Sequence, residues 1–162
     1  MKYASTAGIF LSVCFCLFAQ LSTGEPICES SLPPRPSPVI APYTLPNPHY
    51  NSPARSSQVC YVRARGNGQD DSQTLFAALK ACNKGGTVYL PDPQYTIAKV
   101  LDLTFLSGVD VIIAGTISFT TDIAYWTGHS YKYAFQGSSL FWQWGGFDVN
   151  IYGGGTIDGE SL

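Results

Sequence analysis

Charge is scarce in this sequence. Lys, Arg, Asp and Glu supply 12% of its 162 residues, against roughly 25% in an ordinary domain. The 9 basic residues form no run and the formal net charge is -2. Nothing here is suited to neutralising phosphates, which argues against a nucleic-acid partner. Histidine is limited to His49 and His129. No Cys-x-x-Cys pair occurs beyond residue 24, so zinc finds no ligand set, and no acidic cluster resembles an oxygen cage for Ca²⁺. Neither a metal nor a cofactor is implied. The apolar run at residues 7–19 stops at Gln20, short of the roughly 20 residues a membrane helix needs, so no membrane anchor is expected. No Asn-x-Ser/Thr acceptor is present, because Asn51-Ser52 runs into Pro53, and N-glycosylation is not expected.

What is present points to a secreted, core-forming chain. Hydrophobic residues make up 45% and aromatics 14% of it, enough for one domain at most. Lys2 precedes the apolar run, and Ser22 and Gly24 are small residues at the -3 and -1 positions of a cut before Glu25. This pattern predicts a signal peptide over 1–24 and an extracellular protein. Residues 25–57 hold nine of the 11 prolines and read as an extended, partly polyproline II leader, with His49 solvated within it. Its single Pro-x-x-Pro, Pro33 to Pro36, is a weak basis for recognition by a Pro-reading domain. The folded part is expected over 58–162.

Of the five cysteines, Cys14 and Cys16 fall in the signal segment and leave Cys28, Cys60 and Cys82. In an oxidising compartment one pair and one leftover are expected. Cys60 and Cys82 both lie in the folded part and are the expected pair; closing their 22-residue loop is worth about 3 kcal/mol on a chain-entropy account. Cys28 is then left over.

The folded part opens on a strand, 59–64, and the turn Gly66-Asn67-Gly68. A helix is expected over 70–82, with Asp70 as N-cap, Gln73 three residues on, Leu75, Leu79 and Cys82 on one face, and Gly85-Gly86 as the stop. Short β-prone runs follow at 87–90, 95–98, 101–105, 109–113 and 116–119. They fit either a sandwich or a solenoid, and self-similarity separates the two. The run GVDVIIAG from Gly108 matches GFDVNIYG from Gly146, 38 residues on, and each leads to Thr-Ile, at Thr116 and at Thr156. The expected fold is all-β: a right-handed parallel β-helix, with Val109, Val111 and Ile113 pointing inward, an inserted loop over 120–145, and the helix capping the first coil.

The runs CYVRARGNGQDDSQTLFAALKACNKGGTVYLP, YTIAKVLDLTFLSGVDVIIAGTISF and GGFDVNIYGGGTIDG resemble the N-terminal part of glycoside hydrolase family 28, and most of all its fungal exo-acting polygalacturonases. The likeness runs from Cys60 to Gly159, and GGGTIDG is its most specific piece. It implies a secreted right-handed β-helix that hydrolyses the α-1,4-galacturonosyl links of pectin in the cell wall with inversion, and it also supports the pairing of Cys60 with Cys82. The polysaccharide, galacturonan, is the implied partner.

Inversion at a sugar needs one carboxylic acid for the leaving oxygen and a carboxylate that activates water, roughly 6.5–9.5 Å apart. The family takes these from Asn-Thr-Asp and Asp-Asp segments, aided by Gly-His-Gly and Arg-Ile-Lys, all following the Gly-Thr-Ile-Asp-Gly run. None follows that run in the 162 residues, so no catalytic residue is assigned. The helix is read as truncated on its C-terminal side, inactive and prone to aggregate as it stands, and monomeric if complete. Asp70-Asp71 reads as helix capping, His129 as a solvated or packed loop residue, and Asp158 as a turn residue. The ten aromatics from Phe119 to Phe147, both included, are expected chiefly to pack. Trp126 is the candidate sugar platform, because Thr127-Gly128 beside it suggests exposure. The alternative is a non-catalytic β-helix that binds carbohydrate. A Ca²⁺-dependent lyase on the same architecture ranks below both.

Overall fold

The computed structural model describes residues 32–36 and 52–159. The expected signal peptide, Cys28 and most of the expected leader lie outside the described residues. The chain divides into two units, Met1–Pro34 and Arg35–Leu162; of the first only Leu32 to Pro34 is described, without regular secondary structure. No helix among the described residues is long and apolar enough to cross a membrane.

Eleven strands and two α-helices occur among the described residues of the second unit. In chain order these are β1 (Val59–Tyr61), α1 (Ser72–Ala81), β2 (Thr87–Leu90), β3 (Gln94–Ile97), β4 (Leu101–Leu103), β5 (Ser107–Ile113), β6 (Thr116–Phe119), α2 (Ile123–His129), β7 (Tyr131–Lys132), β8 (Ser139–Leu140), β9 (Trp142–Trp144), β10 (Phe147–Tyr152) and β11 (Thr156–Asp158). The fold is all-β and its sheets are parallel. The first has the order β1-β2-β5-β10, the second β11-β6-β3, and the third pairs β4 with β9. Among the described residues only β7 and β8 pair antiparallel.

Parallel neighbours need a long return path, and from β2 onward each return runs through the other two sheets. The chain passes β2, β3 and β4, then β5 and β6, and reaches the third sheet again at β9 before β10 and β11. Between β1 and β2, α1 takes the place of strands in the second and third sheets. It begins two residues later than the sequence suggests. Its N-cap is Asp71, which makes no side-chain cap bond. Asp70 instead accepts from the Ser72 N–H at 2.9 Å and the Ala98 N–H at 3.1 Å, tying the helix start to the end of β3.

Alternation decides which side chains are inside. Tyr95 and Ile97, Leu101 and Leu103, and Val109, Val111 and Ile113 are buried, and they join Leu75, Leu79, Val88, Leu90 and Ile117 in one core. Cys60 and Cys82 form a disulfide between β1 and the end of α1.

The spacing of the repeat differs from the sequence match. Val109 lies opposite Val149 and Thr116 opposite Thr156, a register of 40 residues in both sheets, not 38 in the first. Gly108 therefore stands beside Asp148, and both are left-handed, with φ of 58° and 54°. Asp tolerates that region better than most residues, so the motif hides an equivalence between unlike residues. A slip of two leaves every side chain on its own face, which is why the inward residues were still readable.

The excursion expected over 120–145 is structured and shorter. It holds α2, a three-residue 3₁₀ turn Phe135–Gly137 and the β7–β8 hairpin, and it ends before Trp142, where β9 pairs with β4.

Candidate functional site

Hydrolysis with inversion, which the resemblance implies, needs carboxylates, and those described are engaged with their surroundings. Asp71 is 2% exposed; it accepts from the Arg65 N–H at 2.7 Å and the Thr96 N–H at 2.9 Å. Burial pushes the Asp70 carboxyl up, but its bonds from Ser72 and Ala98 outweigh this and hold it below the usual range. Asp92 takes the Arg63 guanidinium at 2.9 Å. Asp102 accepts from Thr104, and Asp122 caps α2 through the Tyr125 N–H at 2.9 Å. Asp158 sits in strand β11, opposite Ser118, and not in a turn. The acidic pair Asp70-Asp71 is thus a fastening between α1 and β3.

The strongest concentration of charge is a knot that the sequence does not announce. Arg55 is 6% exposed at its side chain and grips Asp110 at 2.8 Å and Asp148 at 2.7 Å, themselves 4% and 5% exposed. Arg35 reaches the other oxygen of Asp110 at 2.8 Å. Asn150 donates to Asp110 at 2.8 Å, Tyr152 donates at 3.3 Å, and the Ser52 hydroxyl contacts Asp148. Two cations balance two anions. Hydrogen bonds from Arg55 hold the Asp148 carboxyl below the usual range. Burial pulls the Arg55 guanidinium down, but the bonds to Asp148 and Asp110 more than offset that, so it lies above its ordinary value. Held low in this way, Asp148 is a poor proton donor, and the knot fastens 52–56, read from sequence as leader, onto the first sheet. One signal was available: Asp110 and Asp148 stand inside β-prone runs, where a buried charge needs a partner.

A second candidate lies in the excursion. A cleft of about 340 Å³ is bounded by Thr120, Trp126, Ser130, Lys132, Ser139 and Phe141, among others. Its position between the end of β6, α2 and the β7–β8 hairpin follows from the long detour before β9. Trp126 is 5% exposed, not open as Thr127-Gly128 suggests. Phe141 stacks on it at 4.4 Å, Phe119 and Tyr125 meet it edge-on, and its indole N–H donates to the Thr120 carbonyl at 2.7 Å. At that exposure the ring forms part of the cleft wall and presents little surface of its own. His129 stacks on Tyr125 at 4.2 Å, and its Nδ1 lies 2.9 Å from the Tyr125 carbonyl. Among the described residues no group of three or more His, Cys, Asp or Glu could hold a metal ion.

The chain is homologous to curated fungal exopolygalacturonases. It is 47% identical over 117 residues to the exopolygalacturonase of Cochliobolus carbonum, an alignment covering 72% of this chain and 26% of the relative. Against exopolygalacturonase X-1 of Emericella nidulans the identity is 50% over 112 residues, 68% of this chain and 25% of the relative. Against a probable exopolygalacturonase X of Aspergillus terreus it is 39% over 158 residues, 97% of this chain and 33% of the relative. The chain spans about a quarter to a third of the length of these relatives. No protein-family model matches it, and no solved structure does.

The residue that sequence reasoning missed in the cleft is Lys132. It stands in a stretch dominated by aromatics and offers no motif; Ser130 is two residues before it, and the turn of the hairpin brings Ser139 to its other side.

Proposed function

We propose that these residues form windings of a right-handed parallel β-helix in a secreted, polygalacturonase-like glycoside hydrolase of family 28, which cleaves the α-1,4-galacturonosyl links of pectin with inversion. The observation that carries this reading is the 47% identity to a protein named exopolygalacturonase; the ordered passage through three parallel sheets supports it. The segment supplies scaffold and a wall of aromatics, and the acid and base of inversion are not among its residues. Asp110 and Asp148 are neutralised by arginine, and Asp70, Asp71, Asp92, Asp102 and Asp122 accept bonds from neighbouring backbone, hydroxyl or guanidinium groups. The 162-residue polypeptide alone is therefore expected to release no galacturonic acid.

The reading is tested by exchange. When these residues replace the matching segment of the Cochliobolus carbonum relative, the chimera is expected to release galacturonic acid from polygalacturonate at a rate within about tenfold of the parent, a difference of 1.4 kcal/mol in barrier. A chimera that melts cooperatively yet releases none would contradict the assignment.

A further inference from the structure

We propose that the cleft between β6, α2 and the β7–β8 hairpin binds a single uronate residue, with Lys132 taking its carboxylate. The ammonium is held at the cleft wall by two hydroxyls, Ser130 at 2.7 Å and Ser139 at 3.0 Å, both of which also line it. Like several other lysines it has no ion-pair partner among the described residues, and it is the one that lines the cleft. A positioned cation without a counter-ion is an anion receptor. Thr120 also lines the cleft, and its hydroxyl, buried beside it, has no hydrogen-bond partner.

The remaining wall includes Ile123 and Phe141, apolar surface of the kind that lies against the C–H face of a pyranose. The volume of about 340 Å³ is at the lower end of the roughly 300–1,000 Å³ range of small-molecule sites, which favours one sugar ring over a longer oligosaccharide. One cation, several hydroxyls and an apolar wall match a sugar bearing one carboxylate better than a neutral sugar or a bare anion. The choice of a sugar acid rests on the pectin reading above; the preference for an anion does not.

Calorimetric titration of the 162-residue chain at low ionic strength tests this, with galacturonate, galactose, glucuronate and acetate as ligands. Galacturonate is expected to bind at least about tenfold more tightly than galactose, equivalent to 1.4 kcal/mol. Lys132→Met is expected to remove that preference and Lys132→Arg to keep most of it, with circular dichroism melts unchanged because Lys132 is exposed. Equal binding of galacturonate and galactose, a preference that survives Lys132→Met, or acetate competing as well as galacturonate would each overturn the site. Glucuronate bound with galacturonate rejected would uphold a uronate cleft and count against pectin. An active chimera with no uronate binding to the segment would do the reverse.

Discussion

Arg55→Met is expected to destabilise the protein by about 3–5 kcal/mol, the usual cost of removing one partner from a buried ion pair. The residue grips two carboxylates at once, at 2.8 and 2.7 Å, and both are at most 5% exposed at their side chains. Arg35 still reaches Asp110 in the variant, so Asp148 is the anion left without a cation. Its hydrogen bond to Ser52 and the Asn150–Asp110 contact cannot replace a charge. Thermal melts at neutral pH measure the loss. The pH dependence has a definite sign. The Asp148 carboxyl is held below its ordinary 3.8, first by Arg55, so its contribution is complete above that value and fades as pH falls through the lower folded value. The difference between wild type and Arg55→Met should therefore narrow below about pH 4. A variant within about 0.5 kcal/mol of wild type, as at ordinary surface sites, would show that the knot is ornamental.

Gly146→Ala is expected to cost about 2–5 kcal/mol, from crowding and backbone strain together. Gly146 has φ +105°, and a Cβ there would stand 1.8 Å from the Leu106 carbonyl oxygen. That oxygen cannot easily move, because it accepts from the Phe147 N–H at 3.0 Å. Gly153 meets the Ile113 oxygen in the same way, at 2.0 Å, and Gly155 the Gly115 oxygen at 2.3 Å. Each lies one register length beyond the residue it touches, so the glycines are where one winding rests on the last. Gly154 is the control: nothing lies within 4 Å of its added Cβ, and Gly154→Ala should change stability by less than about 0.5 kcal/mol. Comparable melts for the two variants would contradict close stacking.

The strands and the inward faces could be read because a half-buried strand declares itself by alternation, as in Leu101-Asp102-Leu103 and Tyr95-Thr96-Ile97. The disulfide could be read because the three-cysteine arithmetic left one pair inside the folded part. The register could not. Asp148 does the conformational work of Gly108, and a comparison of letters aligns Asp148 with Asp110 instead. The polar knot was hidden for a related reason: its cations, Arg35 and Arg55, come from a Pro- and Ser-rich stretch with no periodicity, and partners 75 and 55 residues away leave no local trace. Trp126 misled in the opposite direction. Small neighbours suggest exposure, but α2 turns the ring onto Phe141, which is distant in the pattern and adjacent in space. Lys132 gains its meaning only from the hairpin that sets it between two serines.

The 40-residue register of β10 on β5 and of β11 on β6 underlies both the scaffold and the cleft, and an engineered cross-link measures it. Ser118 lies opposite Asp158 across β6 and β11. Neighbouring strands run about 4.8 Å apart, within the ~4.4–6.8 Å Cα separation a disulfide spans. The double variant Ser118→Cys, Asp158→Cys is expected to oxidise to an intramolecular bridge, identified by non-reducing peptide mapping, with Cys60–Cys82 intact. Ser118→Cys with Thr156→Cys, the pair a 38-residue register would bring together, should bridge far less. Preferential bridging of the second pair, or of neither, would contradict the winding.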